Sequence, residues 1–258
     1  MIELDDLRLV RGGRLVLDIP ELRVSAGRVL GILGPNGAGK STLLAALAGE
    51  LRPAAGQVRF GGRPIQGWRP PELARHRAVL PQASQLGLPL SVTEVVALGR
   101  IPWAGIEDQE QHWDAIAEGL AVASAAHLAR RPYGALSGGE QQRVQLARVL
   151  AQLHGAPPRE TALMLDEPTA SLDLPHQHAI LAAARCRAME GAAVMLVLHD
   201  VGLAARYCDE VLILGQGRAV AQGPAPLVLT AEAISSAYGM AVRRLPDPEG
   251  REVVFVPA

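Results

Sequence analysis

Gly34-Pro35-Asn36-Gly37-Ala38-Gly39-Lys40-Ser41 is the stretch that decides the fold. It follows an apolar run at 28–33 that predicts a buried strand. It leads into 41–51, where Leu43, Leu44 and Leu47 recur at helical spacing. Strand, glycine-rich loop and helix, in that order, are the context in which GxxxxGK[ST] carries a mechanism. Small residues let backbone N–H groups turn inward around a triphosphate, and the helix N-terminus adds a favourable dipole. The Lys40 ammonium then reaches the β- and γ-phosphates, and Ser41 is the expected ligand of Mg²⁺. Of the 25 cationic side chains only Lys40 is a lysine. Arginine serves everywhere else, so the one lysine stands where the motif requires it.

Outward from the loop, residues 1–33 read as short strands with a turn at 11–14, and 52–67 as a small hairpin region rich in Gly and Pro. A short helix is expected over 70–77, a strand over 78–81, and a helical stretch over 91–131 with turns near Pro102 and Gly105. A helix from Leu136–Gly139 to about His154 precedes a strand at 162–165, a helix at 175–190 and a strand at 193–198. A short helix at 232–238 and a hairpin pairing 242–245 with 252–256 across 246–250 close the chain. Strands alternating with helices predict an α/β fold with a mostly parallel sheet covered by helices.

Two further segments carry chemistry. Thr161-Ala162-Leu163-Met164-Leu165-Asp166-Glu167 is an apolar strand ending in two acids. Asp166 is placed to hold Mg²⁺ through water, and Glu167 to polarise the water that attacks a γ-phosphate. Leu136-Ser137-Gly138-Gly139-Glu140-Gln141-Gln142-Arg143 opens a helix with a hydroxyl and two glycines, so donors can approach a phosphate at a positive helix end.

LSGGEQQR at that position resembles the signature of the ATP-binding-cassette family, and with the loop and the acidic strand it separates this chain from other P-loop NTPases. The resemblance spans about 2–223. It implies a P-loop NTPase core with a mostly parallel sheet, an antiparallel β subdomain and an inserted helical subdomain at about 84–155, followed by a C-terminal extension at 224–258. It assigns Gly34, Pro35, Asn36, Gly37, Ala38, Gly39, Lys40, Ser41 and Thr42 to ATP, and Ser41, Gln82 and Asp166 to Mg²⁺. Glu167, His199 and Gln82 become the catalytic group. Leu136, Ser137, Gly138, Gly139, Glu140 and Gln141 are supplied in trans by a second copy. Ala170-Ser171-Leu172-Asp173 resembles the D-loop with its first two residues exchanged, and Asp173 keeps its place. Where the family stacks adenine on an aromatic side chain, this chain has Arg11, whose guanidinium plane can also stack.

Within the family, 77–133 and Leu165-Asp166-Glu167-Pro168-Thr169-Ala170-Ser171-Leu172-Asp173-Leu174-Pro175-His176-Gln177 resemble importer ATPases for iron chelates, cobalamin and heme, the second segment pointing to heme import. That resemblance implies a homodimer with ATP and Mg²⁺, seated on transmembrane permease subunits at the cytoplasmic face of the bacterial inner membrane and fed by a periplasmic heme-binding protein. The expected permease contact is 83–100, with Leu86, Leu88, Pro89 and Leu90. Siderophore or cobalamin import is the alternative cargo. A soluble ATPase acting on DNA or ribosomes is the alternative of another class, disfavoured because neither a long coiled-coil insertion nor a tandem cassette is present.

Composition limits the rest. The 258 residues carry 25 Lys+Arg against 26 Asp+Glu, and a net charge of −1 gives no electrostatic reason to expect nucleic acid. The longest apolar runs, such as 192–198, are too short to span a bilayer. No signal peptide is read at the N-terminus. Cys186 and Cys208 form no CxxC pair and are read as buried thiols in a reducing compartment. His176 and His178 are read as surface residues, since they lack the spacing of a metal pair.

Overall fold

The computed structural model describes residues 1–82, 89–170, 172–245 and 254–258. The chain divides into two compact units, Met1–Gly67 with Ala193–Ala258, and Trp68–Ala192. The first begins with β1 (Ile2–Arg11), β2 (Arg14–Val24), β3 (Val29–Leu33), α1 (Lys40–Leu47), β4 (Ala55–Phe60) and β5 (Arg63–Pro64). The second contains α2 (Pro70–His76), β6 (Arg77–Leu80), α3 (Val92–Ala97), α4 (Gln109–Val122), α5 (Gly138–Leu153), β7 (Ala162–Asp166) and α6 (Leu174–Met189). The chain then returns to the first unit through β8 (Ala193–Val197), α7 (Val201–Tyr207), β9 (Glu210–Gly215), β10 (Arg218–Pro224), α8 (Ala225–Val228), α9 (Ala231–Tyr238), β11 (Val242–Leu245) and β12 (Val254–Pro257).

In the first unit the strands run in the order β5-β4-β1-β2-β10-β9-β3-β8. β1, β2, β4 and β5 are antiparallel, whereas β3 is parallel to both β8 and β9. Gly12 and Gly13, at φ 54° and 75°, make the two-residue turn between β1 and β2, because two left-handed positions match the twist of the paired strands. β3 is buried along its whole length, which is why its sequence is a continuous apolar run rather than an alternating one. Cys208 is buried with its sulfur against Gly31 of that strand; a Cβ on Gly31 would stand 2.8 Å from it. Cys186 is exposed, contrary to the sequence expectation, because it lies on the outer side of α6.

α1 ends at Leu47, short of the expected 51, since Gly49 takes φ 77° and packs its backbone on Ile65. The sequence reading assigns nothing between 199 and 231, where the structure has α7, β9, β10 and α8. These helices are too short for a helical period to emerge, and β9 is a buried run without alternation. β11 and β12 pair as expected, Val242 opposite Pro257 and Leu245 opposite Val254. The turn at 246–250 and Glu252 lie outside the described residues, as do 83–88 with Leu86 and Leu88.

In the second unit β6 and β7 are parallel, with Arg77 opposite Ala162 and Leu80 opposite Leu165. The helical stretch predicted over 91–131 contains α3 and α4, separated by a 3-10 turn at Leu98–Trp103 that contains Pro102. Ser91 with Glu94, Asp108 with Gln111, and Ser137 with Glu140 each form a reciprocal capping box, so α3, α4 and α5 begin where the sequence supplies a cap followed three residues later by Glu or Gln. Gly99 lets this turn approach α5 closely, as a Cβ there would sit 2.3 Å from the Arg148 carbonyl. Arg100 follows and caps the other end of α5, donating to the carbonyls of Ala151 and, at 2.9 Å, of His154. Its guanidinium also pairs with Glu107, and both side chains are almost fully buried, at 2% and 7% exposure. His112 Nδ1 lies 2.8 Å from the other oxygen of Glu107.

Removing one partner of such a pair leaves a buried charge unmatched, so Arg100→Ala should lower the unfolding free energy by about 3–5 kcal/mol in urea titration. Burial pushes the Glu107 carboxyl up, but its bonds to Arg100 and His112 outweigh that and hold it below the ordinary value. Its stabilising contribution is therefore complete above the unfolded-state value and is lost as pH falls through the lower folded-state value. Stability measured on the acid side should accordingly fall more steeply in the parent than in Glu107→Gln.

Candidate functional site

The loop 34–42 belongs to the first unit. Gly34 takes φ 145°, and a Cβ on it would stand 2.3 Å from the Leu214 carbonyl of β9. Gly39 takes φ 98°, and a Cβ there would meet Leu17 at 2.7 Å. Both glycines are thus demanded by the fold of the loop itself. Lys40 begins α1 and is 5% exposed. Its ammonium donates to the carbonyls of Gly34 at 2.8 Å and Pro35 at 3.0 Å, which folds the side chain back along the loop. Asn36, Gly37 and Ser41 are exposed, Pro35 and Thr42 half-buried, and Ala38 buried. No side chain caps α1, in contrast to α3, α4 and α5. Its N-terminal turn is therefore not closed by a capping side chain, the condition under which a helix start binds an anion. In the same unit Arg11 is exposed at the end of β1, and His199 is exposed just beyond β8, where Asp200 caps α7 by accepting from the Leu203 amide at 3.0 Å.

The second unit carries the acidic pair, Gln82, the signature segment and Asp173. Asp166 is the last residue of β7 and is 7% exposed. A carboxylate so buried has to be matched by a cation or by donors, and its hard oxygens suit Mg²⁺. Glu167 adopts φ 49°, a left-handed conformation that costs a non-glycine residue about 1–3 kcal/mol. Gln82 Nε2 donates to the Glu167 Oε2 at 2.7 Å. Two residues that the family resemblance expects in one catalytic group are thus in direct contact.

Ser137 is the cap of α5. Its Oγ accepts from the Glu140 amide at 3.3 Å, while the Glu140 carboxylate accepts from the Ser137 amide at 2.8 Å. The Ser137 hydroxyl also bonds to the Glu140 carboxylate, so serine and glutamate are tied by side chain as well as by main chain. The bonds from Ser137, aided by Arg131 at 2.8 Å, hold the Glu140 carboxyl below its ordinary range. Leu136 is buried, and Gln141 donates to the carbonyls of Leu136 and Tyr133, fixing the approach to the helix. Gln142 donates to the Pro168 carbonyl at 3.4 Å, connecting α5 to the turn that holds Glu167.

Asp173 caps α6, accepting from the His176 amide at 3.3 Å, and also contacts the His176 ring. The His176 hydrogen bond keeps its carboxyl below the ordinary value. The structure gathers Ser137–Glu140, Arg143, Leu172, Asp173 and His176 around one open groove of about 470 Å³. His176, read from sequence as a plain surface residue, is therefore a partner of Asp173. The signal was the spacing Asp-x-x-His at a helix start. Ser171 lies outside the described residues.

The two glycines at the start of α5 are not equivalent. A Cβ on Gly139 would approach Leu172 at 3.1 Å, whereas one on Gly138 would meet nothing within 4 Å, and Gly138 lacks a positive φ. Nothing among the described residues requires glycine at 138.

Comparison with known proteins gives the following likenesses. The model of the ABC transporter family matches residues 17–170. The hemin import ATP-binding protein HmuV of Pseudomonas entomophila (strain L48) is 52% identical over 251 residues, covering 96% of this chain and 96% of that protein. Among solved structures, a metal-chelate type ABC transporter in an inward-facing conformation superposes with a TM-score of 0.81 at 23% identity, over 100% of this chain and 97% of that one, a likeness of fold. A dimeric ATP-binding cassette in a post-hydrolysis state with ADP and Pi has a TM-score of 0.75 at 26% identity, over 87% of this chain and 99% of that one.

Gly138→Ala should leave the thermal midpoint unchanged or slightly higher, since alanine is the better helix former by up to about 1 kcal/mol. ATP turnover should nevertheless fall at least about tenfold, because the new methyl occupies the space of an approaching phosphate. Parental turnover in a phosphate-release assay would show that nothing approaches this position.

Proposed function

The chain belongs to the ABC transporter family of ATP-hydrolysing subunits, and from that premise we propose that it powers the import of heme, working as a homodimer beneath a membrane permease. The observation that carries this reading is the near-full-length likeness to the hemin import protein of Pseudomonas entomophila, which extends through the C-terminal extension as well as the ATPase motifs. In this reading 1–223 is the ATPase domain, with its helical subdomain at about 84–155, and 224–258 is the extension. The protein sits at the cytoplasmic face of the inner membrane, with a periplasmic heme-binding protein delivering cargo to the permease. No helix among the described residues is long and apolar enough to cross a membrane, so passage of cargo is left to other chains.

The roles are those that the family resemblance implies, and the chemistry of each side chain suits them. Gly34 to Thr42 bind the phosphates through backbone N–H groups and the Lys40 ammonium. Ser41 and Gln82 would hold Mg²⁺ through oxygen and Asp166 would hold it through water, and the ion would neutralise charge on the phosphate oxygens. Glu167 accepts a proton from the attacking water, and the Gln82 amide holds the carboxylate in position for it. His199 donates to the γ-phosphate. Ser137, Gly138 and Gly139, with Leu136, Glu140 and Gln141 shaping their approach, serve the nucleotide of the second copy, and Asp173 lines the same groove. Arg11 gives adenine a planar platform.

Glu167→Gln keeps size and removes the base. It should bind ATP normally, lose about 100-fold or more in turnover, and be trapped as a dimer by ATP and Mg²⁺ in size-exclusion chromatography. A mutant that hydrolyses normally and stays monomeric would remove Glu167 from its role.

Cargo is tested with the subunit reconstituted on its permease, measuring uptake and phosphate release together. Heme should be taken up and stimulate hydrolysis. Uptake of a siderophore or cobalamin with none of heme would overturn the cargo.

A further inference from the structure

The C-terminal extension has no role in the chemistry above, yet one of its side chains reaches the phosphate loop. α9 is capped by Thr230, which accepts from the Ala233 amide at 3.2 Å, and its last turn is tied to β11 by the Val242 amide donating to Ser235 Oγ at 3.0 Å. Ala237 packs on Gly215 of β9, where a Cβ would stand 3.6 Å from the Ala237 Cα. The neighbouring residue of β9, Leu214, presses its carbonyl against Gly34. Helix, strand and loop glycine are therefore stacked, and Tyr238 extends from the end of α9 into this contact.

The Tyr238 hydroxyl is buried and closes no hydrogen bond of good geometry. It lies beside the backbone N–H of Gly34, whose carbonyl on the other side holds the Lys40 ammonium at 2.8 Å. A buried hydroxyl left unmatched is costly, and in a native structure such a group calls for a reason. Burial pushes the phenol above its ordinary value, with the Gly34 amide acting weakly in the opposite direction, so the group keeps its proton at neutral pH.

We propose that Tyr238 is a positioning residue for nucleotide binding: its hydroxyl takes up the Gly34 N–H and steadies that peptide while Lys40 exchanges loop carbonyls for phosphate oxygens. The C-terminal extension is then a brace for the phosphate loop. The proposal rests on the assignment of 34–42 to phosphate binding. It places the unsatisfied hydroxyl where a small movement of Gly34 satisfies it.

The test compares parent, Tyr238→Phe and Lys40→Ala by equilibrium ATP binding, with thermal unfolding in the absence of nucleotide. Tyr238→Phe should raise the Kd for ATP about fivefold and leave the thermal midpoint equal or slightly higher, because it removes a buried unmatched group. In protein labelled with 3-fluorotyrosine there are three tyrosines to report. The ¹⁹F resonance missing from Tyr238→Phe should shift on adding ATP in the parent. A parental Kd in Tyr238→Phe overturns the proposal. So does a raised Kd accompanied by a lower midpoint and an unmoved resonance, which would mean ordinary packing. Lys40→Ala separates the premise: if it binds ATP like the parent, the phosphate-loop assignment has failed, whereas its loss of binding beside an unaffected Tyr238→Phe sinks the brace alone.

Discussion

The close approach of Gly34 to the Leu214 carbonyl is the constraint on which the first unit is built. No side chain fits between them, so the loop leaves β3 at a fixed angle and delivers Lys40 to the start of α1. The same contact explains why β9, which carries no catalytic residue, pairs in parallel with β3 and is buried along most of its length. A strand that sets the path of a phosphate loop has to be as immobile as the loop's own strand. Lys40 closes the arrangement from the other direction, since its bonds to two loop carbonyls make the loop a ring of main chain around one ammonium.

The second unit is organised around α5, whose two ends are fixed by different means. At its start the Ser137 and Glu140 capping box fixes the first turn and leaves an open glycine, Gly138, facing out. At its finish the buried Arg100 and Glu107 pair seizes the last carbonyls, so the helix cannot slide or fray without exposing an unmatched charge. Between these ends Gln142 reaches the Pro168 carbonyl, and Gln145, 3% exposed, donates to the Tyr133 hydroxyl at 2.9 Å. The signature helix is thereby bound to the turn carrying Glu167, and a displacement of one moves the other.

Among the described residues four that are not glycine adopt a left-handed backbone, Asp6, Ser124, Glu167 and Gln216, and of these Glu167 stands at the acidic strand end. Glu167 takes a left-handed backbone immediately after a strand of ordinary geometry, and its carboxylate is oriented by Gln82 rather than by local rotamer preference. A residue so placed can meet a water molecule at an angle that an unstrained strand end does not offer.

The loop 34–41, the acidic strand end and the capped start of α5 were legible in the amino-acid sequence because each is local: glycine, lysine and cap residues act on main chain only a few positions away. The same locality explains why the pairing of β11 with β12 was legible. What the sequence did not disclose depends on residues far apart in the chain. Gly34 against Leu214, Gln82 on Glu167 and Arg100 at the end of α5 are contacts across tens of residues, and the burial of Cys208 against Gly31 while Cys186 faces outward is decided by which face each element turns to its neighbours. β9 escaped detection because a strand buried along most of its length loses the alternation that would announce it. Local backbone chemistry belongs to the sequence alone; the pairing of distant groups exists only once the hydrophobic core has brought them within hydrogen-bonding reach.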